Sequence, residues 1–280
     1  MAQLVQLKSR IKAVETIKKI THAMRLIAMS SHARLKNREA LLVEYRQELS
    51  TLLASLLAKT NHHDTQSQHI ASSRELLVVI SSHKGLCGTF NSALCKYVDK
   101  HFAKSTIIDC ITIGKRADDH IKAIGLPIVR NLPSLSASSL AIVTHDLHKL
   151  ITELQSQYHA VNVVSNIPVS FFVQRPTVTH LLPVPAIDTT SALDLDRYIW
   201  PVTPEVVVTA LMDQYIASNI QTILYQSLIA ETAARFQSMD SANRNAVDLL
   251  QLMQRQYNKL RQAKITKELI ELTSGFIQQQ

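Results

Sequence analysis

The segment SSHKGLCGTFN (81–91) has the composition of a ligand loop, because it follows an apolar run and opens a helical pattern. Backbone N–H groups at such a helix start are where phosphates bind. It carries neither the GxxxxGK[ST] of a phosphate loop nor the G-x-G-x-x-G of a dinucleotide fingerprint. A lone Gly85-x-x-Gly88 reads more simply as a strand-to-helix turn. Cys87 sits where a thiol is open to a lowered pKa, yet a small packing residue is the simpler reading. The chain has 12 histidines. His62, His63 and Asp64 fall in a polar loop, and His145 and His148 have i,i+3 spacing on a helical pattern. Neither group has a third and fourth ligand nearby in sequence, so no metal is expected. No Ser/His/Asp or Cys/His order pairs a nucleophile with a base. Cys87, Cys95 and Cys110 form neither a disulfide framework nor a CxxC pair, which suits a reducing, cytosolic setting. No catalytic residue and no cofactor is expected.

Charge is more informative than these motifs. Residues 1–60 hold 11 Lys+Arg against 4 Asp+Glu, a net +7; residues 61–205 hold 12 of each; residues 206–280 hold 7 and 6, a net +1. Nearly the whole excess of +8 lies on the first segment, which predicts an acidic partner for it. A basic coiled-coil scaffold or a nucleic-acid-binding protein is the alternative, although aromatic residues for base stacking are missing there. A free-standing nucleotide enzyme built on the middle of the chain is a third reading.

The elements that carry these charges are long. From Leu4 to Ala58 there is neither Pro nor Gly, and apolar residues recur at Leu4, Leu7, Ile11, Val14, Ile17, Ile20, Met24 and Ile27. That three-or-four spacing predicts the seam of a coiled coil, over a helix of roughly 80 Å at 1.5 Å per residue. From Glu205 the chain again runs without Pro or Gly until Gly275, which has the position of a helix C-cap. This predicts a second helix of about 105 Å, with a seam at Met239, Ala242, Ala246, Leu249, Met253, Tyr257 and Leu260.

Between the helices the period changes. ELLVVIS (75–81) and TIIDCITI (106–113) read as buried parallel strands. Residues 89–104, 115–124 and 137–158 read as helices, HIKAIGLPIVRNLP as a helix end, Gly turn and short extended run, and 160–165 and 169–174 as further strands. Pro183, Pro185, Pro201 and Pro204 punctuate a connection anchored by Tyr198 and Trp200. The expected domains are a coiled-coil helix over 1–60, an α/β domain over 74–190, and a second helix over 205–276 that pairs with the first. A body of about 120 residues is only some 35 Å across, so both helices must project and cover each other's stripe. The fold class is therefore α/β: a small doubly wound, Rossmann-like domain carrying a long antiparallel coiled coil. No run of ~18–20 apolar residues suggests a membrane span, and the first residues lack the pattern of a secretory signal.

Specific residues then resemble a family. RIKAVETIKKITHAMRLIAMSS (10–31) is similar to the N-terminal signature of F-type ATP synthase gamma subunits of the bacterial type, with matches at Arg10, Ile11, Val14, Lys19, Ile20, Thr21, Ala23 and Met24. SSHKGLCGTFN resembles that family's S-D-R-G-L-C-G-G-F-N turn. The closing stretch resembles its last helix at Tyr257, Asn258, Arg261, Gln262, Ala263, Ile265, Thr266, Glu268, Ser274 and Gly275. Departures occur at Thr16, Ile17, Ser31, His83, Lys84, Thr89, Leu260 and the Phe-Ile-Gln-Gln-Gln tail, which suggest a divergent lineage or a second-copy synthase.

The resemblance implies a non-catalytic central-stalk rotor subunit. It would couple transmembrane proton flow to ATP synthesis by turning inside an alpha3-beta3 catalytic head, and would regulate ATPase activity. It implies further contacts with an epsilon-type subunit and the membrane c-ring, and a peripheral place on the cytoplasmic face of a bacterial inner membrane. Met24 and Arg25 would lie near an acidic loop of the head; Arg261, Gln262, Thr266 and Glu271 would meet a loop of a catalytic subunit. Residues 275–280 would sit in an apolar bearing, and the α/β domain with the 196–205 connection would face the membrane ring and the epsilon-type subunit.

Overall fold

The computed structural model describes residues 2–60, 74–82, 84–102, 107–184 and 202–277, leaving aside the side chains of 2, 59, 60 and 271–277. The loop holding His62, His63 and Asp64, the residue His83, and the connection holding Tyr198 and Trp200 lie outside the described residues. The chain forms two compact units, residues 29–235 and the segments 1–28 and 236–280. Two helices contribute to both: α1 (Ala2–Thr60) and α5 (Pro204–Ile277).

The unit of residues 29–235 is built on a five-stranded sheet in the order β3-β2-β1-β4-β5. Its strands are β1 (Glu75–Ile80), β2 (Ile108–Ile113), β3 (Ile128–Leu132), β4 (Ala160–Pro168) and β5 (Gln174–Leu182). The first four pair in parallel, and β5 joins β4 antiparallel. Helices α2 (Phe90–His101), α3 (Lys115–Ile124) and α4 (Leu140–Leu154) connect them. Because successive strand residues point to opposite faces, β1 serves two cores. Leu77 and Val79 pack with Leu94 and Val98 of α2 and Ile121 of α3. Leu76, Val78 and Ile80 pack with Val143 and Leu147 of α4, Leu35 of α1 and Leu224 of α5. Helices on both faces of a mainly parallel sheet make the doubly wound domain that the alternating pattern predicts.

Two expectations need correction here. Residues 169–174 are not a strand of their own; only Gln174 belongs to one, as the first residue of β5. Residues 169–173 form the turn of the β4–β5 hairpin, where Val169 and Ser170 donate N–H bonds to the Val173 carbonyl at 3.0 and 3.1 Å. The apolar run VSFFV suggested a strand, while the true strand, QRPTVTHLL, is disguised by Pro176 and its polar residues. As an edge strand it tolerates a proline that a central strand would not. The second correction is Gly275, which does not cap α5: the helix continues to Ile277. Glycine in a helix costs about 1 kcal/mol relative to Ala, too little by itself to end a long helix.

α5 begins with Pro204, whose fixed φ and missing N–H suit a first helical position, and the Thr203 carbonyl accepts the N–H of Val206 at 3.1 Å. Within this unit α1 and α5 run antiparallel. Leu53 and Leu56 cluster with Val208, Gln214 Nε2 donates to Tyr45 Oη at 3.1 Å, and His32 Nδ1 lies 3.4 Å from the Ile229 carbonyl. Numbers fall on one helix as they rise on the other. Among the described residues no helix is long and apolar enough to cross a membrane.

Candidate functional site

In the smaller unit the seam is set by a strict heptad count. From Leu4 the three-then-four spacing runs through Leu7, Ile11 and Val14 and continues through Lys18, Thr21, Arg25 and Ala28. Thr21 and Ala28 are buried, while Ile17, Ile20 and Ile27 are 51%, 52% and 65% exposed. The seam expected at Ile17, Ile20, Met24 and Ile27 is therefore one residue out of register. One residue is about 100° of helix rotation, enough to move an apolar run from the seam to its flank. On α5, Met239, Ala246, Met253 and Tyr257 occupy the seam or its margin as expected, but buried Leu250 replaces Leu249, and Leu260 is exposed.

A charged pair stands at the centre of this seam. Arg25 Nη1 donates to Asp240 Oδ1 at 2.7 Å, with side chains 28% and 18% exposed. Arg244, one turn along α5, binds the other oxygen of Asp240. These bonds, Arg25's foremost, hold the Asp240 carboxyl below the ordinary carboxylate range. Arg25 Nη2 also lies 3.4 Å from His22 Nδ1 on its own helix. Asp240 and Arg244 escaped the sequence reading. Carrying the heptad on from Val14 would have placed Lys18 and Arg25 in the seam and signalled an acidic partner for them.

The other expected contact residues form a separate patch. Arg261, Gln262 and Thr266 are exposed on α5, and Thr266 Oγ1 donates to the Gln262 carbonyl at 3.0 Å. They lie roughly 30 Å along the helix from Asp240. Met24 is half-buried beside Arg25. The side chain of Glu271 and the tail 278–280 lie outside the described residues.

In the larger unit residues 84–89 form the turn that leads into α2. Cys87 is buried and, with Phe90, packs against Ala230 and Ala234 of α5. Ser82 Oγ, Asn91 and Cys87 Sγ form a hydrogen-bonded knot, with Asn91 Nδ2 3.1 Å from the sulfur. Leu86 and Gly88 take positive φ, 64° and 57°. Burial raises the pKa of the Cys95 thiol and pushes that of Cys110 up to about 12, so neither is an activated nucleophile. His148 Nε2 lies 3.0 Å from Asp213 Oδ1. Among the described residues no three His, Cys, Asp or Glu side chains are placed to share a metal ion.

The family profile of ATP synthase matches residues 3–277. An ATP synthase gamma chain of Chlorobium limicola is 30% identical over 289 aligned positions, covering 98% of both chains. The chain belongs to the ATP synthase gamma-chain family. A gamma chain of Hyphomonas neptunium is 28% identical, over 98% of this chain and 99% of its own. Among solved structures, a chain of the Euglena gracilis mitochondrial ATP synthase (OSCP, F1 and c-ring, rotational state 3) superposes with a TM-score of 0.68 at 15% identity, over 98% of this chain and 94% of the other. A chain of the same enzyme's rotor superposes at 0.67 and 14%. Those likenesses show a common fold. As a gamma chain the protein is a subunit of an ATP synthase complex, and nothing found supports the nucleic-acid-binding or scaffold alternative.

Proposed function

We propose that this gamma chain is the central-stalk rotor of its ATP synthase, a non-catalytic shaft that couples proton flow to ATP synthesis. One observation carries the reading: within a gamma-chain sequence, α1 and α5 run for 59 and 74 residues without a break. A Pro-broken rod would kink where torque must pass. The shaft acts as an asymmetric ligand of the head. It binds catalytic subunits in different states unequally, so its angle sets their populations. ATP chemistry belongs to those subunits.

The partners are an alpha3-beta3 head, an epsilon-type subunit and a membrane c-ring, with the protein peripheral on the cytoplasmic face of a bacterial inner membrane. The net +7 of residues 1–60 complements an acidic loop of the head near Met24 and Arg25. Arg261, Gln262, Thr266 and Glu271 form the second contact with a catalytic subunit. Affinity capture of the tagged chain from its own membranes tests this. Recovery of a three-plus-three head that hydrolyses ATP is expected; ATP hydrolysis by the purified chain alone would contradict it.

A further inference from the structure

We infer that the chain carries a binding site for a small organic anion, a phosphate or carboxylate head on a short apolar body, between α1, α5 and the loop from β3 to α4. A cavity of about 340 Å³ opens there, lined only by residues of the 29–235 unit. It lies beyond the carboxyl ends of β1 and β3, on the side where open α/β sheets take their ligands. Leu35, Leu135 and Leu228 give it apolar walls, and a few polar groups converge between them. Small-molecule pockets of roughly 300–1,000 Å³ have this make-up.

The charges on the wall select the ligand's sign. Arg235 pairs with Glu231, one turn back on α5, with side chains 17% and 9% exposed, and it donates to the Lys84 carbonyl at 3.4 Å. Both bonds use Nη2, so Nη1 and Nε keep their N–H groups for another acceptor. A guanidinium held in this way loses little freedom when it binds. Glu231 is the one carboxylate among the lining residues, and Arg235 balances it. Lys84 and Arg235 against Glu231 leave a net +1, carried by the Lys84 ammonium on its exposed turn. A single excess charge beside apolar walls suits a singly headed amphiphilic anion better than a polyanion or a cation. Ser31 adds a hydroxyl from α1, and its short side chain leaves the space open. Ser31 and Lys84 are two of the positions at which this chain departs from its family, so the cavity's form is particular to this chain.

Calorimetric titration of the full-length chain with hexyl phosphate, hexanoate, hexanol and inorganic phosphate tests the site. The two amphiphilic anions should saturate a single site, and the tighter of them names the head group. Hexanol and inorganic phosphate, each lacking half of the match, should bind at least about tenfold more weakly. Lys84→Gln should weaken the tighter anion by roughly tenfold, the worth of one hydrogen bond to a charged group. Ala137 lines the cavity and is exposed, so Ala137→Asp brings a like charge to the ligand without disturbing a packed residue and should abolish saturation. Ala137→Lys should bind at least as tightly as the parent, which separates a charge effect from misfolding. Arg235 is left in place, because its removal would strand the buried Glu231 carboxylate. No saturable binding to the parent, or undiminished affinity in Lys84→Gln and Ala137→Asp, would overturn the assignment.

Discussion

Gly114 shows how tightly a single residue is specified. Its φ of +90° and ψ of 146° belong to a region that is essentially glycine's own. A Cβ there would lie 2.5 Å from the Ser81 carbonyl oxygen. Ser81 in turn accepts the Ala117 N–H with its hydroxyl at 2.7 Å, satisfying a donor in the first turn of α3. Gly114→Ala should cost at least about 3 kcal/mol. Gly125→Ala should cost only about 1 kcal/mol, since φ there is +78° with nothing within 4 Å of the added carbon. Urea unfolding of the two variants checks the difference. Asp240 gives a pH prediction with a definite sign. Its folded pKa lies below the ordinary 3.8, so its contribution is complete above that value and is lost as pH falls through the folded one. Asp240→Asn should therefore flatten the acid limb of the urea midpoint below pH ~4. At this scale the strand-turn at 81–91 was legible, because Gly and Asn punctuate it after an apolar run. The Arg25–Asp240 contact was not, since it joins residues 215 apart in sequence.

Among the elements, α1, α5, β1, β2, α3 and β4 were legible, because their periods are strong and few Gly or Pro interrupt them. Register was harder to read. Ile17, Ile20 and Ile27 mimic a seam, and what excludes them is the packing of two helices, which no single-helix pattern contains. Leu249 and Leu250 are adjacent and chemically identical, and only the second is buried, at 7% against 42% exposed. Leu250→Ala should destabilise the chain by about 2–4 kcal/mol, while Leu249→Ala should stay within roughly 0.5 kcal/mol, as a surface change does. Equal urea midpoints for the two would contradict the seam described here. The missed edge strand β5 has the same kind of cause. Its neighbours on the sheet, not its own composition, make Gln174–Leu182 a strand.

For the whole molecule, the charge asymmetry and the two unbroken helices carried the functional reading, and the matched ends identified the family. Met24→Lys adds a charge beside the seam and should lower protons pumped per ATP more than it lowers complex yield. Arg261→Ala should weaken torque or assembly, read as slower ATP-driven rotation or a lower yield of complex. The most direct measurement reconstitutes head and membrane sector in vesicles with and without this chain and follows ATP hydrolysis and acidification together. The account predicts that hydrolysis drives acidification only when the chain is present. Equal acidification without it would contradict the claim that this protein is the coupling shaft.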